Sequence, residues 1–432
     1  MKLYSTKNPT TFVTLKEAVF KGLPSDNGLF MPESIPQLEA DFIKNLKDHS
    51  FQSIAFTVAK TLIGGVIPDK DLKKLVEQSM NFPAPVVKLD ESTHVLELFH
   101  GPSLAFKDFG ARFMAQLMSY FNKRNKRELV ILVATSGDTG GAVAAGFYKT
   151  LGIKVVILYP SGKVSMLQEK QLTTLGENIT ALEVEGTFDD CQALVKQAFL
   201  DKELTTKIRL SSANSINIAR LIPQSFYYFE AFKQVETKGK PLVFSVPSGN
   251  FGNLTAGLFA QKMGLPISKF IAATNANDVV PQYLATGNYK PTPSVPTLSN
   301  AMDVGNPSNF ARMLDLYSST WNIMKENLVG YAYNDAVTKA AMREVKSKYK
   351  YVIDPHGAVG YLALKDYQKE HDVVGIILET AHPAKFLDDV EIILEQKIEV
   401  PERLASLADK KKESRLSPTD FGDFKSWLLA NY

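Results

Sequence analysis

The chain has 432 residues, of which 45% are hydrophobic and 22% are charged, and its formal net charge is +3. This is the composition of a globular protein long enough for two or three domains. So small a net charge argues against a nucleic-acid partner, and the sequence has neither a secretory signal nor an apolar run that spans a membrane. One cysteine, Cys191, excludes a disulfide within the chain and argues against a cysteine-based zinc site. We therefore expect a cytoplasmic protein that binds neither nucleic acid nor a membrane.

The first part of the chain, residues 1–90, is predicted to be a mainly helical segment. Apolar residues recur at helical spacing at Leu15, Ala18, Val19 and Leu23. The proline-marked stretch "FPAPVVKL" at 82–89 then predicts a connection to the next domain.

The remainder of the chain alternates short apolar runs with helical patterns. Such runs are typical of strands buried on both faces, and their alternation with helices predicts an α/β fold with mostly parallel sheets. We expect a smaller domain, residues 128–235, nested within a larger one, residues 91–127 and 236–432. The predicted strands are "ELVILVA" (128–134), "KVVILYP" (154–160), "ALEVEG" (181–186), "PLVFSVP" (241–247), "KFIAATN" (269–275) and "DVVGIILET" (372–380).

The stretch "HGPSLAFKDFG", residues 100–110, places Lys107 directly after three apolar residues. Apolar surroundings lower the pKa of a lysine and expose an amine that condenses with carbonyl groups, including that of pyridoxal phosphate. The apolar positions from Phe109 to Phe121 predict a helix with Lys107 at its N-terminus, where the helix dipole further disfavours a positive charge. Taken alone, this stretch also fits a lysine whose stem packs and whose ammonium reaches water.

A turn between a predicted strand and an alanine-rich helix, "ATSGDTGGAVAAGF" at 134–147, has the form of an anion site. The free N–H groups of a helix N-terminus suit a carboxylate, and small residues such as Ser136 and Thr139 leave room for it. The alternative is an ordinary helix start capped by Ser136 or Asp138.

A second strand–loop–helix unit, "VPSGNFGNLTAGLFAQKMG" at 246–264, has neither the dinucleotide fingerprint nor the P-loop lysine. Its loop predicts a nest of N–H donors around a compact phosphate, such as that of pyridoxal phosphate. The loop residues are Gly249, Asn250, Phe251, Gly252 and Asn253.

A third turn, "LETAHPAKF" at 378–386, follows the last predicted strand. Open α/β sheets bind ligands at the carboxyl ends of their strands, so Thr380 is a candidate to hydrogen-bond a pyridine nitrogen. We expect Lys385 to be solvated, whereas His382 either orders the turn at Pro383 or takes part in catalysis.

Two further polar stretches are candidates for the site. In "SSANSINIARL", residues 211–221, an arginine stands close to several amides and hydroxyls, and Arg220 suits a phosphate held by two parallel hydrogen bonds. The alternative is a capped turn with Arg220 in a surface ion pair. The stretch "NAMDVGNPSNFARML" at 300–314 either lines a pocket or forms a simple turn.

Read in order, these stretches resemble the threonine synthase family. The similarity extends from Met1 to about residue 400, and eight motifs in register are far more specific than any one alone. The matching stretches are "MKLYST", "LELFHGPSLAFKDFGARFMAQLM", "ATSGDTGGAVA", "KVVILYPSGKVSMLQEKQLTTLG", "SSANSINIARL", "VPSGNFGNLTAG", "LSNAMDVGNPSNF" and "TAHPAKF".

The resemblance implies the tryptophan-synthase-β-like fold of pyridoxal-phosphate enzymes, also called fold type II, with pyridoxal 5′-phosphate as cofactor. Lys107 matches the lysine that holds the cofactor as a Schiff base and then acts as general base. The loop at 249–253 matches the cradle of the cofactor phosphate, and Thr380 matches the hydroxyl residue facing the pyridine nitrogen. Asp138 matches a residue beside the ring hydroxyl of the cofactor.

The resemblance also implies the substrate site and the reaction. The reaction would convert O-phospho-L-homoserine and water into L-threonine and phosphate, the last step of threonine biosynthesis, in a monomer or a small homo-oligomer. The substrate carboxylate would lie in the turn that contains Asp138, and the substrate phosphate on the stretch at 211–221. The carboxylate candidates are Thr135, Ser136, Gly137 and Thr139, and the phosphate candidates are Asn214, Ser215, Asn217 and Arg220.

Two positions depart from the pattern of the family. Asn253 stands where relatives often carry aspartate, and Pro223 interrupts the helix after Arg220, where a kink could shift the phosphate-binding residues. The nearest alternative function is a serine or threonine dehydratase, or a phospholyase acting on amino phosphates, with the same fold. A different class is a catalytically silent α/β module that binds a nucleotide or a phosphorylated metabolite.

Overall fold

The computed structural model describes residues 1–123, 125, 127–135 and 137–432. In the described residues the strands are β1 (Lys2–Ser5), β2 (Asn8–Thr14), β3 (Phe30–Pro32), β4 (Val86–Lys88), β5 (Thr93–Glu97), β6 (Leu129–Ala134), β7 (Ile153–Pro160), β8 (Ile179–Val184), β9 (Arg209–Ser212), β10 (Leu242–Pro247), β11 (Lys269–Thr274), β12 (Leu328–Ala332), β13 (Val374–Glu379) and β14 (Arg415–Ser417).

The α-helices are α1 (Leu15–Lys21), α2 (Ala40–Lys44), α3 (Phe51–Ile63), α4 (Asp69–Ser79), α5 (Lys107–Asn122), α6 (Asp138–Phe147), α7 (Met166–Thr173), α8 (Phe188–Leu200), α9 (Lys202–Lys207), α10 (Ile218–Leu221), α11 (Phe226–Gln234), α12 (Gly252–Lys262), α13 (Val279–Thr286), α14 (Phe310–Leu316), α15 (Trp321–Asn327), α16 (Asp335–Tyr349), α17 (Pro355–Gln368), α18 (Leu387–Leu394), α19 (Glu402–Ala408) and α20 (Phe421–Asn431). Short 3₁₀ turns cover Leu46–Asp48, Ile222–Ser225, Asn300–Met302 and Pro383–Phe386. No helix in the described part of the chain has both the length and the apolar character needed to cross a bilayer.

The larger sheet has the strand order β12-β11-β10-β13-β5-β4. All neighbouring pairs are parallel except β4 and β5 at one edge. Every residue of β10 and β13 is buried, which explains why their sequences are continuous apolar runs rather than alternating ones. The predicted strands at 241–247, 269–275 and 372–380 are confirmed, whereas β5 and β12, which carry polar residues and glycine, were not predicted.

The smaller sheet has the order β14-β8-β7-β6-β9, with every pair parallel. The predicted domain boundary differs here, because β14 and α20 join this sheet rather than the larger one. Phe424 and Leu428 of α20 fill an apolar cluster with Cys191 and Leu194 of α8. These contacts between distant parts of the chain leave no local signal in the sequence.

The N-terminal segment is helical as predicted but also contains an antiparallel sheet, β2-β1-β3. This sheet was missed because β2 is almost entirely exposed and lacks an alternating apolar face. Helices α3 and α4 of this segment pack against α11 and α5, so the segment supports the helix that begins at Lys107.

Candidate active site

The site forms where three adjacent strands end at the same edge of the larger sheet. β10, β13 and β5 are parallel neighbours, and the loops that leave their carboxyl ends are residues 248–251, 380–382 and 98–106. The last two loops are joined by hydrogen bonds from Phe106 N to the Thr380 carbonyl (2.8 Å) and from His382 N to the Leu104 carbonyl (3.0 Å). Lys107 therefore begins α5 directly beside Thr380, at the edge where open α/β sheets bind ligands.

Lys107 is largely withdrawn from solvent, with 17% of its side chain exposed, and its Nζ lies 3.6 Å from Asp138 Oδ2. Burial lowers the pKa of the Lys107 ammonium, and the positive charges of Lys385 and Arg220 act in the same direction. The Asp138 carboxylate opposes this shift. Burial outweighs this opposition, so the pKa of Lys107 lies below that of an exposed lysine, in the direction that its apolar flanking residues predict.

Asp138 is the first residue of α6 and is the centre of an ion cluster. Its Oδ1 accepts hydrogen bonds from Lys385 Nζ at 2.7 Å and from Gln168 Nε2 at 2.9 Å. Burial by itself raises the pKa of the Asp138 carboxyl, but the charges of Lys385 and Lys107 outweigh that effect and hold the pKa well below its usual range. Asp138 is thus a buried carboxylate shared by two lysines, rather than the helix cap.

The turn before α6 is shaped by Thr135. Its hydroxyl oxygen accepts hydrogen bonds from Gly137 N (3.0 Å) and Gly140 N (2.8 Å). Gly137 has φ 142°, and a Cβ there would lie 2.7 Å from Gln168 Oε1, so glycine is required. Ser136 lies outside the described residues, and Thr139 is half-buried on the first turn of α6.

The loop between β10 and α12 is the predicted nest, and its backbone N–H groups, those of residues 249–254, are unpaired in the described residues. Phe251 takes the left-handed conformation, with φ 59°, which turns successive N–H groups toward one side. A Cβ on Gly249 would lie 2.7 Å from Met302 Cα, so the stretch at 300–314 packs directly against this loop.

The side chain of Asn250 ties the nest to the stretch at 211–221. Its Nδ2 donates to Ser215 Oγ at 3.0 Å, and its Oδ1 accepts from Ser308 N at 2.6 Å. The predicted cofactor loop and the predicted substrate-phosphate stretch are therefore in contact.

The side chain of Asn253 turns away from the nest. Its Oδ1 accepts hydrogen bonds from the hydroxyls of Tyr227 (2.7 Å) and Tyr228 (2.8 Å). The amide offers these two donors an acceptor without burying the charge that aspartate would bring. Two donors of Asn253 have no acceptor among the described residues, its backbone N–H and its buried Nδ2.

The turn after β13 corrects one prediction. Lys385 is not solvated: its side chain is fully buried and reaches Asp138, the Ser103 carbonyl (2.8 Å) and Gln171 Oε1 (3.3 Å). Its counter-ion comes from the smaller sheet, so the local sequence could not reveal the burial. His382 orders the turn, since its Nδ1 accepts from Ala384 N at 3.1 Å, and burial lowers its pKa to about 4.

The stretch at 211–221 contains residues with partly exposed side chains and residues whose side chains are buried and hold the backbone in place. Asn214 and Ser215 are half-buried. Arg220 is 2% exposed and donates to the Ala213 carbonyl at 2.7 Å, and its Nε has no partner among the described residues, so the surface ion pair is not formed. The Nδ2 of Asn217 donates to the Val19 carbonyl (2.9 Å), and its Oδ1 accepts from Ala219 N (3.0 Å). These bonds assign Asn217 a positioning role.

Pro223 lies in the 3₁₀ turn Ile222–Ser225, between α10 and α11. The helix is therefore interrupted where the sequence placed the proline, and Arg220 belongs to the short helix before the break.

One buried arginine near this stretch was missed. Arg312 has no carboxylate partner in the described ranges and donates to the Phe30 carbonyl, the Ile216 carbonyl (2.7 Å) and Asn309 Oδ1 (2.7 Å). Its position between alanine and methionine in "SNFARML" is the one local sign of burial. Arg312 holds the backbone of the stretch at 211–221 through its hydrogen bond to the Ile216 carbonyl.

Comparison with known proteins agrees with this geometry. Family profiles described as "Threonine synthase N terminus", "Pyridoxal-phosphate dependent enzyme" and "Threonine synthase, C-terminal" match residues 2–80, 81–379 and 357–427. The threonine synthase of Serratia marcescens is 47% identical over 431 residues, covering 99% of each chain.

Two solved structures are similar over the full length. The threonine synthase of Escherichia coli has a TM-score of 0.91 at 45% identity and covers 100% of both chains. A pyridoxal-phosphate-bound threonine synthase from Brucella melitensis has a TM-score of 0.93 at 33% identity and covers 100% of this chain and 99% of its own. The predicted fold class and cofactor are thereby confirmed. The chain belongs to the threonine synthase family of pyridoxal-phosphate-dependent enzymes.

Proposed function

We propose that the protein converts O-phospho-L-homoserine and water into L-threonine and phosphate with pyridoxal 5′-phosphate as cofactor. The observation that carries the proposal is the pairing of a desolvated lysine, Lys107, with the buried Asp138 carboxylate beside a nest of free N–H groups. The full-length similarity to threonine synthases supports this substrate over others.

The residues present fit the cofactor. The free N–H groups of residues 249–254 suit its phosphate, and the absence of room for a Cβ at Gly249 shows a loop built for close backbone packing. Lys107 would hold its carbonyl carbon, and Thr380, 7% exposed, would supply a neutral hydroxyl to its pyridine nitrogen. When bound, pyridoxal phosphate accepts the electron pair released at Cα of an amino acid.

The residues of the chain supply the groups that move protons and hold charge. The Lys107 amine takes the proton from Cα of the substrate, and the burial that lowers its pKa favours this role as a base. A proton leaves Cβ as phosphate departs from Cγ; Cγ then gains a proton and water adds its hydroxyl group at Cβ. Overall, one water is consumed and one phosphate is released. Asp138 keeps its negative charge beside Lys107 while these protons move.

The substrate phosphate has candidate partners on the stretch at 211–221. Asn214 and Ser215 present polar groups next to the nest, and Arg220 adds a buried positive charge. At the start of α6 the N–H of Gly137 already donates to Thr135, which leaves the N–H of Thr139 as a candidate donor to the substrate carboxylate. The number of subunits and the cytoplasmic location stay predictions.

An isotope experiment tests the reaction. The purified protein with pyridoxal phosphate and O-phospho-L-homoserine is incubated in ¹⁸O-water, and the products are analysed by mass spectrometry. We expect equal amounts of threonine and phosphate, with the label in threonine alone, because the bond that breaks is Cγ–O.

Other outcomes separate the alternatives. Label in the phosphate would indicate a phosphatase that cleaves the P–O bond. Release of 2-oxo acid and ammonia from serine or threonine, without threonine formation from the phosphorylated substrate, would instead indicate a dehydratase. Either result would refute the proposed function.

Gly249→Ala should weaken cofactor binding by about tenfold or more. The added Cβ would lie 2.7 Å from Met302 Cα and 2.8 Å from the Ala301 carbonyl oxygen, and overpacking against backbone costs about 1–3 kcal/mol. Titration of the apoprotein with pyridoxal phosphate, followed by absorption, measures the effect. In the control, Gly422→Ala, the nearest atom is the movable end of Asp420 at 3.0 Å, and cofactor affinity should not change.

A further inference from the structure

Lys385 is a buried lysine that no motif assigned to the site. Its ammonium group has three N–H donors and faces three acceptors: Asp138 Oδ1 at 2.7 Å, the Ser103 carbonyl at 2.8 Å and Gln171 Oε1 at 3.3 Å. None of its side chain is exposed. A carboxylate and two amide oxygens around one buried lysine match the three N–H donors of an ammonium group.

The same carboxylate serves Lys107 at a longer distance. Lys107 Nζ is 3.6 Å from Asp138 Oδ2, so each oxygen of Asp138 faces one lysine. If Lys107 were the sole partner, Asp138 would lose its counter-ion whenever the Lys107 amine became neutral. An unpaired carboxylate in this buried setting is costly, and it would pull a proton back to Lys107.

We propose that Lys385 is a positioning residue that stays positively charged and keeps Asp138 ionised, which frees the Lys107 amine to be neutral. The proposal rests on the proposed function, because it assigns Lys385 a part in making Lys107 reactive. It adds to that function by giving the two lysines of the cluster different roles: Lys107 reacts, and Lys385 remains a fixed charge.

The charged groups around Lys107 determine how a substitution of Lys385 changes the pKa of Lys107. Asp138 on α6 raises the pKa of Lys107, whereas Lys385 from the turn after β13 and Arg220 on α10 lower it. Asp108, the next residue on α5, is buried and turned toward Ser103 N at 2.8 Å. Without the charge of Lys385, the Asp138 carboxylate has Lys107 as its one remaining lysine partner in the described part of the chain. Lys107 should therefore hold its proton to higher pH.

The test measures the chemical labelling of the two lysines directly and does not depend on enzyme activity. The full chain, freed of cofactor, is labelled with trace acetic anhydride across a range of pH, and peptide mass spectrometry gives the labelling midpoint of Lys107. We expect Lys385→Met to raise this midpoint by about one pH unit or more, which is about a tenfold loss of labelling at neutral pH. Lys385→Arg should restore most of the labelling, and Asp138→Asn should lower the midpoint below that of the unchanged protein.

Control variants separate a charge effect from damage to the fold. Lys425→Met removes a lysine that pairs with Asp201 and Glu203 at the start of α9, and should leave the Lys107 midpoint unchanged. If Lys385→Met does not fold, Asp138→Asn/Lys385→Met removes both charges of the buried pair, and its Lys107 midpoint should lie above that of Asp138→Asn alone, because the positive charge of Lys385 is also gone.

Two results would overturn the inference. One is a Lys107 midpoint in Lys385→Met, or in Lys385→Gln if only that variant folds, equal to that of the unchanged protein. The other is labelling of Lys385 itself at neutral pH. Failure of the proposed function looks different: the unchanged protein would show a low Lys107 midpoint, yet borohydride would trap no pyridoxal phosphate on Lys107.

Discussion

Lys107→Ala should fold normally, bind pyridoxal phosphate without a covalent link, and lose threonine formation by on the order of a thousandfold or more. The variant lacks both the amine that holds the cofactor carbonyl and the base that takes the Cα proton, and loss of a general base alone costs about 10²–10⁴ in rate. The fold should survive because Asp138 keeps Lys385 as its counter-ion at 2.7 Å. Single-turnover assays and borohydride trapping with peptide mapping measure the two losses.

A lysine outside the site provides the comparison for Lys107→Ala. Lys425→Ala removes an ammonium group on α20 and should keep both activity and cofactor attachment. If Lys107→Ala retained threonine formation within tenfold, or if the borohydride adduct mapped to Lys385, the assignment of Lys107 would be wrong.

Asp138→Asn should lower the free energy of unfolding by about 3–5 kcal/mol, because it leaves the fully buried Lys385 ammonium without a carboxylate. Threonine formation should also fall, since Lys107 and Lys385 then face each other without a negative charge between them. Denaturant unfolding of the cofactor-free chain measures the stability, and steady-state assays measure the activity.

The matched comparison is an ion pair of similar length at the surface. Asp372 and Lys240 are 2.6 Å apart with 79% and 44% of their side chains exposed, so Asp372→Asn should cost less than about 1 kcal/mol. Equal losses of unfolding free energy for Asp138→Asn and Asp372→Asn would mean that the ion cluster around Asp138 is not buried away from water.

The parts of the candidate site that lie within one strand–turn–helix unit were predictable in their position from the sequence. Lys107 at a helix start and the glycine-rich loop at 249–253 each depend on a strand that ends, a turn and a helix that begins. Such units carry their own signal in apolar runs, glycines and helix periodicity, which act over a few residues. Thr380, at the end of β13, was found for the same reason.

Other features were decided by contacts between distant parts of the chain. Lys385 was expected in solvent, yet a carboxylate almost 250 positions earlier in the sequence buries it as a paired cation. Arg312 is held by carbonyls of Phe30 and Ile216, and Asn217 is turned inward by the Val19 carbonyl. The C-terminal strand β14 joins the smaller sheet by pairing with β8.

The sequence by itself determined the fold class, the helix that begins near Lys107 and the strand–loop–helix unit around residues 249–253, because apolar periodicity and turn chemistry are local. Only the tertiary structure decided which charges meet: Asp138 with both Lys107 and Lys385, and Asn250 with Ser215. The physical reason is that burial and pairing of a charge depend on groups brought together by chain topology, and the residues flanking a lysine do not encode the carboxylate that will neutralise it.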